Sequence, residues 1–142
     1  DADVFVQVFD IAPLQRLDKM IDVPLILLIR PEGGPYDEPG MTWAEIMTPT
    51  GLAEVATYAD GIGPFMGHVL GDDGTPTDLV RDAHAAGLKV HPWTVRKENV
   101  FLPPSLRSDA SQDGVGDIRG LVKRLKDAGV DGYFTDDPGL VR

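Results

Sequence analysis

Short apolar runs alternate with helical segments along the chain. The runs at 4–9 (VFVQVF) and 24–30 (PLILLIR) are rich in branched and aromatic residues, as β-strands are. The segment between them, APLQRLDKMI, has the apolar spacing of a helix. The residues that share its apolar face are Leu14, Leu17, Met20 and Ile21. The chain therefore opens with strand, helix, strand.

A Gly/Pro-rich loop at 31–40 follows the second strand. The pattern then predicts helices around WAEIM and PTGLAEVATYA, a short strand at 60–65 and a further helix in TPTDLVRDAHAAG. In this last helix Thr75 is predicted as the N-cap, Pro76 as the first helical residue and Gly87 as the stop.

The last part of the chain repeats this unit. LVRDAHAAGLKV at 79–90 and LVKRLKDAGVDG at 121–132 both run from an apolar helix through Ala-Gly into a strand. The second helix has an apolar stripe made of Ile118, Leu121, Val122, Leu125 and Ala128. Five parallel strands are predicted in all, at 4–9, 24–30, 60–65, 88–95 and 131–136. Periodicity does not separate a small doubly wound sheet from part of an eight-stranded barrel.

Polar residues at the carboxyl ends of these strands favour the barrel. They are Gln7 and Asp10, Arg30 and Glu32, His91, Trp93 and Arg96, and Thr135, Asp136 and Asp137. In (β/α)8 barrels the active site is built from those ends. A doubly wound sheet typically has one glycine-rich phosphate loop, and the G-x-G-x-x-G pattern does not occur in this sequence.

Composition narrows the function. The 142 residues, 42% hydrophobic and 25% charged, suit one domain or a piece of one. A net charge of −10 disfavours nucleic acid and anionic membranes as partners. Cysteine is absent, which excludes disulfides and thiolate metal sites, and the longest apolar run, PLILLI, is too short to span a bilayer. The chain does not begin with Met, so we expect a processed or truncated product.

Four motifs carry a resemblance to a known family. VFVQVFD, YADGIGP, VHPWTVRKENVFLP and AGVDGYFTDDP, in this order and at these intervals, resemble the C-terminal part of glycerophosphodiester phosphodiesterases of the bacterial periplasmic type. The resemblance implies that residues 1–142 are the C-terminal part of a single (β/α)8 domain, a TIM barrel of the PLC-like phosphodiesterase type. They would supply strands four to eight, with the N-terminal strands missing from this chain.

The same resemblance implies a reaction and a cofactor. It points to hydrolysis of glycerophosphodiesters to glycerol 3-phosphate and an alcohol, in the periplasm or outside the cell. A divalent metal ion would assist, calcium by preference and magnesium as the alternative.

The catalytic motifs of that family have no counterpart here. Its paired histidines lie in His-Arg-Gly and His-Asp motifs and its metal-binding carboxylates precede strand four, whereas His68, His84 and His91 lie in no such motif. We therefore assign no catalytic residue and no metal ligand in this chain. We expect the metal ligands upstream, an active parent protein and an inactive isolated chain.

Three residues are predicted to bind substrate. Trp93 matches an aromatic wall beside the glycerol moiety, with core packing as its alternative role. By the same resemblance, Gln7 matches a polar residue of the strand-four motif that faces the pocket, with a buried hydrogen-bond network as its alternative role. Arg96 would bind the phosphate bidentately, or form a salt bridge with Glu98 or an aspartate on the rim.

Other polar residues are interpreted as structural. His91 lies on a strand expected to be buried, and His84 on a helix surface. The aspartates of the TDDP segment at 135–138 are expected to accept backbone amides where the chain turns.

Two alternatives remain at this stage. The chain could be a non-catalytic binding or assembly module, a degenerate or half barrel whose open edges require a second copy or a separate N-terminal chain. It could also be an unrelated doubly wound protein, with helices on both faces of an open sheet.

Overall fold

The computed structural model of the chain describes residues 4–141, which form a parallel four-stranded sheet. The strands lie in chain order, β1 next to β2, β2 next to β3 and β3 next to β4, and each pair is parallel. Their bounds are β1 Val6–Val8, β2 Leu25–Ile29, β3 Gly61–Pro64 and β4 Lys89–Val90. Parallel neighbours in chain order, each joined by a helical crossover, form the predicted βα repeat.

Five α-helices occur in the described part of the chain. They are α1 Ile11–Leu17, α2 Trp43–Ile46, α3 Pro49–Val55, α4 Leu79–Ala85 and α5 Ile118–Asp127. Short 3-10 helices cover Met66–His68, Asn99–Phe101 and Pro104–Leu106. None of the helices within residues 4–141 is long and apolar enough to cross a membrane.

The hydrophobic core lies on one face of the sheet. Leu25, Leu27 and Ile29 alternate along β2 and belong to one buried cluster with side chains from all five α-helices. From the helices this cluster includes Leu14, Trp43, Leu52, Ala83 and Leu121. Because successive strand residues point to opposite faces, one face of the sheet carries the helical layer.

The opposite face has no helical cover within the described residues. Its side chains include Gln7, which is exposed, and Phe5, Leu28 and Trp93, which are half-buried. A doubly wound sheet would have helices on both faces, whereas helices on one face are typical of a barrel wall. The fold class is therefore the predicted one, parallel βα units belonging to a TIM-like barrel.

Two glycines in β3 allow the sheet to pack tightly on this second face. A Cβ at Gly61 would approach Ile26 Cδ1 and the Lys89 carbonyl to 2.7 Å, and a Cβ at Gly63 would approach Leu28 Cδ2 to 2.6 Å. The absence of side chains at these two positions therefore leaves room for those of β2.

The predicted fifth strand at 131–136 does not form a regular strand. The segment still runs parallel to the chain after β4: Phe134 N–H donates to Pro92 O, Val95 N–H donates to Phe134 O, and Val95 forms a parallel bridge with Thr135. The prediction of a continuous strand over 88–95 was also too long, since only Lys89–Val90 is regular. Pro92 has no N–H to give a ladder, which accounts for the interruption.

The predicted start of α4 was wrong. The helix begins at Leu79 with Asp78 at the N-cap position, rather than at Pro76 after Thr75. The Thr75 hydroxyl is used locally, donating to Asp73 Oδ1 at 2.7 Å. The stop was predicted correctly, because Gly87 adopts a φ of 84°.

The apolar stripe of α5 is confirmed over Ile118, Leu121, Val122 and Leu125, all of which are buried. In α1 the stripe was drawn too long, because the helix ends at Leu17. Met20 lies beyond that end and is 76% exposed.

Candidate functional site

Aromatic side chains meet where three strands end. Phe9 follows β1, Phe65 follows β3 and Trp93 follows β4, and we call these three residues the rim cluster. The Trp93 ring meets Phe9 and Phe65 edge to face, with centroids 5.9 and 5.8 Å apart. The cluster therefore forms an aromatic wall at the carboxyl ends of the strands, where barrel enzymes build their sites.

Three hydrogen bonds hold Trp93 in place, two with β3 and one with the 3-10 helix that follows it. Its indole N–H donates to Gly63 O at 2.7 Å. Its backbone N–H donates to Pro64 O at 3.1 Å, and its carbonyl accepts from Met66 N–H at 2.9 Å. A half-buried tryptophan with its ring and backbone both bonded is oriented before any ligand arrives.

A cavity of about 310 Å³ opens beside Trp93. We call it the rim cavity; its lining residues are Gln7, Leu28, Trp93, Thr94, Phe134, Thr135 and Asp136. It brings together two of the three predicted substrate residues, Gln7 and Trp93. Gln7 is exposed rather than buried, and its amide has no hydrogen-bond partner among residues 4–141, so the buried network considered for it does not form there.

Arg96, the third predicted substrate residue, pairs with a rim aspartate. Its Nε lies 2.6 Å from Asp136 Oδ2, in an ion pair whose angle does not make a directed hydrogen bond. Its guanidinium also lies over the Phe101 ring, with Cζ 4.8 Å from the centroid. Of the two carboxylates predicted as salt-bridge partners, the aspartate is the one engaged, whereas Glu98 Oε2 is buried and accepts no hydrogen bond from residues 4–141.

A second cation, Arg30, lies on the same rim. Its Cζ lies 4.5 Å from the centroid of the Phe9 ring, and its backbone carbonyl oxygen lies 2.9 Å from His68 Nε2. No carboxylate within residues 4–141 forms a salt bridge with it, and its side chain is exposed. The sequence placed Arg30 at a strand end but gave no reason to select it as a substrate residue. Its contact with Phe9 follows from the parallel pairing of β1 and β2.

His91 lies deeper in the sheet than Trp93 and is 8% exposed. Its ring packs edge to face on Phe5, with centroids 4.8 Å apart. Burial lowers the pKa of His91, partly offset by the charge of Asp131. A packed, neutral imidazole in this position fits the structural role expected for it.

The TDDP segment ties the chain end to the loop after β4. The Thr135 hydroxyl donates to Val95 O at 2.9 Å. Asp137 Oδ1 lies 2.6 Å from Lys97 Nζ, and its Oδ2 accepts the Lys97 amide at 3.3 Å. The hydrogen bond from Lys97 holds the pKa of Asp137 below its ordinary value. Asp137 therefore holds the loop after β4 in place through its bonds to Lys97, whereas Asp136 lines the rim cavity.

Metal-binding geometry is absent from the part of the chain that the structure describes. No three His, Asp or Glu side chains within residues 4–141 come close enough together to hold an ion. A site of this kind usually needs at least that many oxygen or nitrogen ligands.

Comparison with known proteins identifies relatives of the whole chain. Residues 1–140 match the model of the glycerophosphoryl diester phosphodiesterase family. A glycerophosphodiester phosphodiesterase of Arabidopsis thaliana is 34% identical over 140 residues, which cover 96% of this chain and 36% of that protein. A glycerophosphodiester phosphodiesterase of Haemophilus influenzae is 28% identical over 158 residues, covering 95% of this chain and 40% of that protein.

Solved structures support the fold. The chain superimposes on a candidate glycerophosphoryl diester phosphodiesterase from Silicibacter pomeroyi with a TM-score of 0.59 and 24% identity, covering 96% of this chain and 36% of that one. The corresponding structure from Agrobacterium tumefaciens gives a TM-score of 0.56 at 20% identity, covering 95% and 40%. The chain thus spans well under half the length of each of these proteins.

Proposed function

The chain belongs to the glycerophosphoryl diester phosphodiesterase family, and on that premise we propose that its protein hydrolyses glycerophosphodiesters to glycerol 3-phosphate and an alcohol. We further propose that residues 1–142 form the C-terminal part of a single barrel domain and supply the substrate-facing wall. A periplasmic or secreted location belongs to the same proposal.

The observation that carries this proposal is the rim cluster with its neighbouring cations. Trp93, bonded to β3, offers an aromatic face of the kind against which a glycerol backbone packs. Two arginines stack on neighbouring aromatic rings, Arg30 on Phe9 and Arg96 on Phe101. Guanidinium groups are suited to phosphate because their fork of N–H donors matches its oxygens.

The chemistry assigns this chain an orienting role. In the hydrolysis the oxygen of water bonds to phosphorus while the bond from phosphorus to the alcohol oxygen breaks, and the departing oxygen takes up a proton. Trp93 would fix the glycerol moiety, Gln7 would donate to or accept from its hydroxyls, and Arg96 would attract the phosphate. No general acid or base is assigned within residues 4–141.

The proposal includes a divalent metal ion, calcium by preference and magnesium as the alternative. The residues described here do not fit such an ion, since they offer no group of three suitable ligands. Its ligands would lie outside residues 4–141, and no step of the reaction is derived through it.

A second candidate function is a non-catalytic binding or assembly module. The observation in its favour is the sheet face that carries Phe5, Gln7 and Leu28 without helical cover within residues 4–141. An open sheet face and open edges need a partner, either the rest of a barrel or a second copy.

The test is an assay on the protein encoded by the complete gene. Glycerophosphocholine is supplied with calcium, with magnesium or with a chelator, and release of glycerol 3-phosphate is measured by an enzyme-coupled reaction. The proposal predicts release that the chelator abolishes. A folded protein that releases none under any of these conditions would instead favour the binding module.

A further inference from the structure

A second cavity, of about 460 Å³, lies beside the rim cavity. Two loops form most of its wall, residues 65–72 after β3 and residues 94–107 after β4. Its apolar lining residues include Phe65, Met66, Leu70, Val100, Phe101 and Leu102. Both loops follow the carboxyl ends of strands, so this cavity lies at the same end of the sheet as the rim cluster.

The two cavities are neighbours. Thr94 lines both of them. Arg96 connects them as well, because it pairs with Asp136 on the rim cavity and stacks on Phe101 of the second cavity. A diester whose phosphate lay near Arg96 could therefore extend one substituent into each cavity.

The second cavity has the character of a hydrocarbon site. Val100 and Phe101 stay 47% and 42% exposed at its edge, although both side chains are apolar. Two charged residues, Asp72 and Arg107, also line the cavity, and Arg107 Nε donates to Leu102 O at 2.9 Å. The volume lies within the roughly 300–1,000 Å³ usual for small-molecule sites, which are mostly apolar.

We propose that this cavity, named here the apolar subsite, binds a hydrocarbon substituent on the alcohol side of the phosphodiester. The inference rests on the proposed function and deepens it. It assigns the glycerol moiety to the rim cavity beside Trp93 and an alkyl or aryl alcohol to the cavity at Phe101. The enzyme would then prefer diesters of apolar alcohols to diesters of small ones.

The experiment uses the full-length protein and two matched probes, the glycerol 3-phosphate diesters of ethanol and of hexan-1-ol. The ratio of kcat/KM for the hexyl over the ethyl diester is measured, together with the ratio of their binding constants by calorimetry without added metal. Each buried methylene contributes about fourfold, the equivalent of about 0.8 kcal/mol. Four additional methylenes, partly buried, should favour the hexyl diester by about tenfold or more.

Substitutions in the apolar subsite test whether the preference for the hexyl diester arises there. Phe101→Ala and Val100→Ser should each reduce the hexyl preference at least about threefold, while Phe101→Leu should retain most of it because the subsite stays apolar. Met20→Ala is the matched control: this side chain is 76% exposed, lies between α1 and β2, and should leave the ratio unchanged.

The readouts separate this inference from the proposed function. Hydrolysis of neither diester would overturn the proposed function, and the calorimetric ratio would still test the subsite. Equal affinity for the two diesters in the unaltered protein, or a preference that Phe101→Ala and Val100→Ser both leave intact, would overturn the inference.

Discussion

The indole N–H of Trp93 donates a 2.7 Å hydrogen bond to the backbone carbonyl of Gly63, 30 residues earlier in the chain. A side chain beyond the end of β4 is thereby oriented by the backbone of β3. Because the acceptor is part of the sheet rather than of a loop, the aromatic wall shares the rigidity of the fold.

Replacing Trp93 by Phe should weaken substrate binding while keeping an apolar ring. Phe loses the bond to Gly63 that orients the ring and offers a smaller apolar face to the glycerol moiety, so KM for glycerophosphocholine should rise about threefold to tenfold. Steady-state kinetics of the full-length protein would measure this. Trp43→Phe is the control, since Trp43 is buried in the helical layer and its indole nitrogen has no hydrogen-bond partner within residues 4–141. A similar KM for both variants would contradict the role of Trp93.

Replacing Gly61 by Ala should destabilise the sheet. The new Cβ would lie 2.7 Å from both Ile26 Cδ1 and Lys89 O, and backbone cannot yield as a flexible side chain does. Overpacking of this kind costs about 1–3 kcal/mol in the free energy of unfolding, measured by urea denaturation. Gly40→Ala is the control, because no atom in the described part of the chain lies within 4 Å of its new Cβ. Equal stability of the two variants would show that β2 and β3 are not packed this closely.

Arg96→Ala should weaken the binding of glycerol 3-phosphate by about fivefold to tenfold, measured by calorimetry at low salt. The guanidinium is half-exposed and already shared with Asp136, so the loss of binding free energy should fall just below the roughly 1.5 kcal/mol that is the lower end for a charged hydrogen bond. Arg81→Ala is the control, because it removes an arginine that also pairs with aspartates, Asp78 and Asp82, but lies on α4. If Arg96→Ala lowered only the melting temperature, its pairing with Asp136 would be purely structural.

The Lys97 and Asp137 pair should make stability fall in acid. The hydrogen bond from Lys97 lowers the pKa of Asp137 below 3.8, so the folded carboxylate stays charged after the unfolded one has begun to bind a proton. The stabilisation is therefore complete above about pH 4 and is lost as pH falls through the lowered folded pKa.

Urea midpoints between pH 7 and pH 2.5 test this expectation. Asp137→Asn should lower the midpoint at neutral pH and flatten its fall below about pH 4. Asp127→Asn is the matched control, since it removes an exposed helical pair with Lys123, and such pairs contribute little. Parallel midpoint curves for the unaltered protein and Asp137→Asn would contradict the assignment.

Local pattern predicted most of the fold. Alternating apolar runs located β1 to β4, and Gly87 marked the end of α4 because only a residue tolerant of positive φ fits that turn. Failures arose where local signals competed. Thr75 and Pro76 look like a helix start, yet Asp73 captures the Thr75 hydroxyl and the helix begins at Leu79.

The sequence predicted where the candidate site lies, but not which of its residues contact one another. Strand ends and the family resemblance together singled out Trp93, Gln7 and Arg96, and the structure places the first two on one cavity. The pairing of Arg96 with Asp136 joins residues 40 positions apart. Such a contact depends on how the chain end returns to the sheet, which periodicity does not encode. The apolar subsite at Phe101 had no sequence signal, because it forms between two irregular loops.

A crystal structure of the full-length protein with glycerol 3-phosphate bound tests the proposed substrate wall directly. We expect the glycerol carbons to pack on the Trp93 ring, the glycerol hydroxyls to lie within reach of Gln7, and the phosphate to face Arg96. Glycerol 3-phosphate bound away from the rim cavity, with Trp93 still bonded to Gly63 and touching no ligand, would contradict this expectation.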